Sequence, residues 1–251
     1  MKKYAMGISY QGTCYAGFQR QTSAVTIQSE LEKALSFVAA SEIKVTCAGR
    51  TDTGVHALGQ VVHFETHAAR DNKAWLLGTN VNLPPDIRVE WIVPVNTQFH
   101  ARFGAIARTY RYVIYNDFYH HPLYYNLSTW CRYVLDLPAM QQAAQAFLGE
   151  QDFSAFRSSA CQSRHAVRQI HNLTLERQDK FILFEVTANA FLHHMVRNMI
   201  GSLLEIGSAK QPVNWIEMLL HAKDRKLAGP TASAKGLYLV RVDYPAGYFD
   251  E

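Results

Sequence analysis

Cysteine is scarce in this chain and never clustered. Its four residues, Cys14, Cys47, Cys131 and Cys161, form no Cys-x-x-Cys, so neither a zinc ribbon nor a disulfide framework is expected, and a reducing, cytoplasmic setting fits best. No apolar run approaches the roughly 20 residues of a membrane span. Ser9, Gln11 and Gly12 interrupt the stretch after Lys2 and Lys3 before a secretory core forms. Gly-x-Ser-x-Gly, Gly-x-x-x-x-Gly-Lys and a dinucleotide fingerprint are also missing, and each absence removes an enzyme class. Charge of either sign is modest: a net +4 permits a polyanionic partner without demanding one. What the chain does have is apolar content, 48% of 251 residues, enough for one large domain or two smaller ones.

Periodicity gives an α+β reading. Tyr4 to Tyr10 is a predicted strand, followed by a turn containing Gly12 and Gly17. Thr26 caps a helix with Ile27, Leu31, Ala34, Leu35 and Val38 on one face. Strands follow at 43–48 and 61–64, then a short Asp71-capped helix through Leu77 and a strand at 87–93. The second half carries a strand at 109–115, an Asp136-capped helix reaching Phe147 and Leu148, and strands at 167–175 and 181–188 joined at Gln178-Asp179. Helices over 195–204 and 215–220 and a closing strand at 236–244 complete it. No low-complexity linker divides the chain, and the boundary is placed near Gly104, giving residues 1–104 and 105–251.

The run Gly49-Arg50-Thr51-Asp52-Thr53-Gly54-Val55-His56 combines an arginine, a carboxylate and two glycines at a strand-to-loop transition. Arg50, two residues away, favours Asp52 as a carboxylate over a proton donor, which suits a nucleophile or an electrostatic stabiliser. An Asx-turn carboxylate beside a surface arginine has the same local pattern. The histidines offer no metal site by spacing: His63 and His67 on a strand lie about 13 Å apart, and His193-His194 has no nearby ligand pair.

The wider pattern is more specific. The Asp52 run, then Gly59-Gln60-Val61-Val62-His63-Phe64, Phe99-His100-Ala101-Arg102-Phe103, Tyr110-Arg111-Tyr112, Gly149 to Phe156, Cys161-Gln162-Ser163-Arg164 and Asn189 to Asn198 resemble, in order and over nearly the whole chain, the TruA family of tRNA pseudouridine synthases. Thr53 and Phe18 stand where that family more often has alanine or lysine, and tryptophan. The resemblance implies two ferredoxin-like or RRM-like halves, with a joined mixed antiparallel sheet and a central catalytic cleft. It further implies a homodimer, no cofactor, and action on uridines 38, 39 and 40 of the tRNA anticodon stem-loop. Asp52 matches the family nucleophile, and Arg197 the arginine that pairs with it.

Isomerising uridine breaks N1–C1′, turns the base and rejoins it through C5. That needs a carboxylate near C1′ or C6, an aromatic wall and cations, which Asp52, Tyr110, Arg50 and Arg197 supply. The carboxylate can attack C1′ or C6, or remove a sugar proton on a glycal route. Tyr110 can stack on uracil and relay a proton, and Arg50 can enter the vacated stack. Phe99, His100, Ala101, Arg102 and Phe103, with Arg108 and Arg111, mix aromatic and cationic groups suited to RNA; Ala160, Cys161, Gln162, Ser163 and Arg164 add a second polar surface. Two rival classes are a noncatalytic RNA-binding module and a metal-dependent nucleic-acid hydrolase.

Overall fold

A computed structural model describes residues 1–249. In chain order the elements are β1 (Lys2–Tyr10), α1 (Ile27–Ala39), β2 (Thr46–Cys47), β3 (His56–Thr66), α2 (Asn72–Asn82), β4 (Ile87–Val95), β5 (Ala107–Asn116), β6 (Thr129–Cys131), α3 (Leu137–Ala144), β7 (Gly149–Asp152), β8 (Val167–Gln178), β9 (Phe181–Ala188), α4 (Met195–Gly207), α5 (Trp215–Ala222) and β10 (Leu237–Asp243). The α+β class read from periodicity holds. Two compact units form, one from residues 1–106 with the chain from Tyr238 onward, the other from Ala107–Leu237. Among the described residues no helix is long and apolar enough to cross a membrane.

In the first unit β1 lies antiparallel between β4 and β3, while β10 runs parallel to β3, pairing Tyr238 with His56 and Leu239 with Ala57. The division at residue 104 had left this last strand in the second half. A parallel return across more than 150 residues has no local pattern to announce it. Thr26 caps α1 as its sequence suggests: its side chain accepts from Ser29 N, and Ser29 Oγ accepts from Thr26 N at 3.0 Å. Helix α1 buries Leu31, Ala34 and Leu35. The strand expected from Ile43 shrinks to Thr46–Cys47 because α1 takes its backbone donors. Ile43 N donates to Ser36 Oγ at 2.8 Å and Val45 N to Glu32 Oε1 at 2.9 Å. Helix α2, capped by Asp71 at Ala74 N, outruns the expected end at Leu77, and Asn80 at its far end brackets Val89 N and O of β4. Trp75 packs against Tyr4 and Phe64 in the core.

The second unit has the strand order β6-β5-β9-β8-β7. Strand β9 alternates as its sequence does, burying Ile182, Phe184, Val186 and Ala188. The β8–β9 hairpin turns one residue later than expected, at Asp179-Lys180, with Asp179 at φ 54°. Helix α3 ends at Ala144 and tightens into a 3-10 turn at Gln145–Phe147, which delivers Phe147 to a ring cluster with Phe153 and Phe156.

Candidate active site

Asp52 occupies the loop between β2 and β3 and is half-buried, with Arg50 exposed beside it. Asp52 O accepts from Val55 N at 3.1 Å, closing a turn with Gly54 in third position at φ 79°, a position where a type II turn demands a positive φ. The loop is tied down on both sides. Phe18 N donates to Thr51 O at 3.0 Å, and Tyr10 Oη lies 2.7 Å from Thr51 Oγ1. Gln60, wholly buried on β3, donates to Gly49 O at 2.6 Å and accepts from Gly49 N at 3.4 Å. His56 Nδ1 accepts from Gly12 N at 3.1 Å, and its ring stacks on Tyr238 at 4.7 Å.

Two glycines permit this closeness. A Cβ on Gly12 would fall on the Val55 carbonyl oxygen, and one on Gly17, which has φ 82°, would sit 2.8 Å from Thr51 O. Tyr10, Gly12, Gly17, His56 and Gln60 therefore set where Asp52 stands. The glycine turn and the His56 to Gln60 run are plain in the sequence, but their joint role as a clamp emerges only from the fold.

In the second unit Tyr110 and Tyr112 share the buried face of β5. Tyr110 meets Phe191 edge-on at 4.9 Å. Tyr112 is instead a core tyrosine: its hydroxyl reaches Thr129 Oγ1 at 2.5 Å and Ser233 O at 2.8 Å, and burial drives its pKa upward. Arg197 lies on the first turn of α4, where an amphipathic pattern would turn it to solvent, yet it is partly buried. Its Nε donates to Ala232 O at 2.8 Å, while Ala232 N donates to Arg197 O at 3.1 Å. Next to it Asn198, wholly buried, donates to Phe156 O and accepts from Thr231 Oγ1 at 2.7 Å and Arg225 Nη2 at 3.1 Å. This network fixes the start of α4. In the sequence Asn198 shows only as the end of the Asn189 to Asn198 run, and Thr231 and Arg225 carry no signal there.

The two basic segments are less uniform than their sequences suggest. In 99–103, Phe99 and Ala101 are buried, whereas Arg102 and Phe103 are exposed, with the guanidinium 5.6 Å from the Phe103 ring centre. His63 Nδ1 accepts from Ala101 N at 3.1 Å, and His100 Nδ1 accepts from Arg102 N and Phe103 N, both at 3.2 Å. Both imidazoles must be unprotonated at Nδ1 to hold the segment. In 160–164, Ala160, Gln162 and Arg164 are exposed and Cys161 and Ser163 half-buried. Burial pushes the Cys161 thiol up, but the N–H of His193, the backbone of Ser163 and Arg157 together bring it below the usual range. Arg168 braces the segment through Ser163 Oγ at 2.8 Å and His165 O at 3.0 Å.

A pH effect follows from the first segment. Burial, with His100 and Lys3 nearby, lowers the His63 pKa from 6.5 to about 4. A histidine whose folded pKa is depressed contributes stability above its unfolded value, and that contribution is lost as pH falls from about 6.5 toward 4. The expected loss is on the order of 1–3 kcal/mol after allowance for partial solvation. Urea unfolding at pH 7 and pH 4.5 should show a steeper fall for the wild type than for His63→Gln.

A family profile described as tRNA pseudouridine synthase matches residues 6–104 and 143–245. The tRNA pseudouridine synthase A of Hydrogenovibrio crunogenus is 52% identical over 248 residues, covering 99% of this chain and 95% of that protein. That of Aeromonas salmonicida is 53% identical, covering 97% and 91%; that of Histophilus somni is 55% identical, covering 97% and 90%. Among solved structures, a chain of a Cbf5-Nop10-Gar1 complex aligns at a TM-score of 0.37 and 12% identity, covering 98% of this chain and 50% of that one, too distant to bear on the fold. On the family match and its near-complete coverage, this chain belongs to the tRNA pseudouridine synthases, isomerases that convert uridine in tRNA to pseudouridine.

Proposed function

We propose that the protein isomerises uridines 38, 39 and 40 in the anticodon stem-loop of tRNA, as a cytoplasmic homodimer, with Asp52 as the nucleophile. The observation that carries the reading is the clamped loop: tethers at Gly49, Thr51 and Val55 hold the Asp52 backbone while its side chain stays half-exposed. A carboxylate in a fixed place is what a positioned attack requires.

On attack at C1′ the Asp52 carboxylate forms an ester bond as N1–C1′ breaks and the uracil leaves with the bonding electron pair; the uracil turns, C5 bonds to C1′ and displaces the carboxylate, C5 gives up its proton and N1 takes one. On attack at C6 the carboxylate forms an adduct with the base, and that bond breaks again before release. Product and substrate are isomers, so no oxidant or reductant enters. Tyr110, its ring held by Phe191, forms the wall against which the free uracil turns. Arg197, its guanidinium held by its bond to Ala232 O, takes the part of the family arginine that charges the carboxylate. Arg50, exposed next to Asp52, stacks in the space the flipped base leaves and offsets part of the few kcal/mol that extrusion costs. His100, Arg102 and Phe103 of the first basic segment, and Gln162 and Arg164 of the second, contact the RNA; Phe99 and Ala101 hold the first from inside.

The test uses purified protein and tRNAs carrying a single uridine at position 38, 39 or 40, with pseudouridine located in each product. All three should be modified; modification of none, or only of uridines elsewhere, would overturn the reading. In the same assay Tyr110→Phe should bind tRNA normally while turnover falls by about 10- to 1000-fold, since the ring stays but the hydroxyl that relays a proton is gone. Unchanged turnover would reduce Tyr110 to a stacking platform.

A further inference from the structure

Between β5 and α3 lie residues 117–134, outside both segments matched by the family profile. Their rings point outward: Phe118, Tyr119, Tyr125 and Tyr133 leave 61, 76, 56 and 60% of their surface open. Single exposed rings are ordinary, but a group of this size marks an interaction surface. Cations lie against these rings. The Arg132 guanidinium is 5.7 Å from the Phe118 ring centre and 5.5 Å from that of Tyr133, and Lys235 Nζ is 3.6 Å from that of Tyr125. Trp130, whose indole N–H donates to Asp117 O, adds a further ring and meets His120 at 5.6 Å. The one carboxylate of the stretch, Asp117, is paired with Lys180 at 2.7 Å.

The face thus combines open rings with cations set against them, and residues 117–134 hold no carboxylate besides the paired Asp117. Ring faces for bases and cations for phosphates are the means by which proteins hold unpaired nucleotides. We propose that this face is a stacking platform for unpaired nucleotides of the tRNA other than the target uridine. The proposal rests on tRNA as the substrate.

The experiment compares wild type with Tyr119→Ser/Tyr133→Ser and with Arg132→Ala, measuring affinity for full-length tRNA, its salt dependence, KM and kcat, and sedimentation velocity. For the double variant, Kd and KM should rise by about tenfold or more, with kcat within about twofold. For Arg132→Ala, the slope of log affinity against log salt should drop by about 0.7. Unchanged affinity and slope would overturn the platform. A shift to a smaller sedimenting species at unchanged monomer affinity for tRNA would also overturn it, assigning the face to a second copy. Absence of wild-type turnover on tRNA would contradict the functional reading instead, and the affinity measurements would still decide the platform.

Discussion

Asp52→Asn should abolish isomerisation, lowering the single-turnover rate by at least about 10⁴-fold, while tRNA affinity and the unfolding midpoint stay near wild type. The amide keeps the volume of the carboxylate and removes its nucleophilic charge. The tethers that shape the loop run through Thr51 O, Thr51 Oγ1, Gly49 and the Val55 N–H to Asp52 O, none of which the substitution touches. A verified Asp52→Asn preparation with substantial turnover would rule out the essential role. Loss of tRNA binding alongside turnover would instead make the carboxylate structural.

Gly12→Ala, distant from Asp52 in sequence, should be the next most damaging change. The added Cβ, fixed directly to the backbone, would meet the Val55 carbonyl oxygen, and neither atom is the far end of a flexible side chain that could swing aside. The Gly12 segment and the Asp52 loop must part, straining the Gly12 N to His56 Nδ1 bond. Overpacking of this kind costs about 1–3 kcal/mol. A displacement of about 1 Å at the loop lowers the rate by roughly 100-fold. Gly149→Ala separates the two effects. Gly149 has φ 83° and open space where a Cβ would go, so it should lose about 1–2 kcal/mol through backbone strain with little change in rate. Equal rate losses in the two variants would show that the clamp has no special bearing on Asp52.

The contrast between these two residues explains what was legible in the sequence. Asp52 sits in a run whose chemistry and order along the chain are specific, and the Thr26 cap, the alternation of β9 and the amphipathic face of α4 are local signals. The clamp is not local: Gly12, Gly17 and Tyr10 meet partners 34 to 44 residues away, and Gln60 reaches across 11 residues to Gly49, so the local patterns that mark the glycine turn and the Gln60 run do not show that they converge on one loop. The strand expected at Ile43 failed for the same reason. Its β-branched pattern is sound, but Ser36 and Glu32 of α1 accept the N–H groups of Ile43 and Val45. Arg197 illustrates a third limit. Helical periodicity sends it to solvent, whereas Ala232, 35 residues later, supplies the carbonyl that draws its guanidinium inward. The 99–103 segment read as one interleaved RNA-contact run, but Phe99 and Ala101 face the core and leave His100, Arg102 and Phe103 at its surface.

The central claim, that Asp52 of this chain forms pseudouridine at positions 38, 39 and 40, is tested most directly in cells lacking the gene, complemented with either wild type or Asp52→Asn and mapped for pseudouridine across total tRNA. Pseudouridine at those three positions should be absent in the deletion, restored by the wild-type chain and still absent with Asp52→Asn at equal protein level. Restoration by Asp52→Asn, or a loss confined to another tRNA position or another RNA, would contradict it.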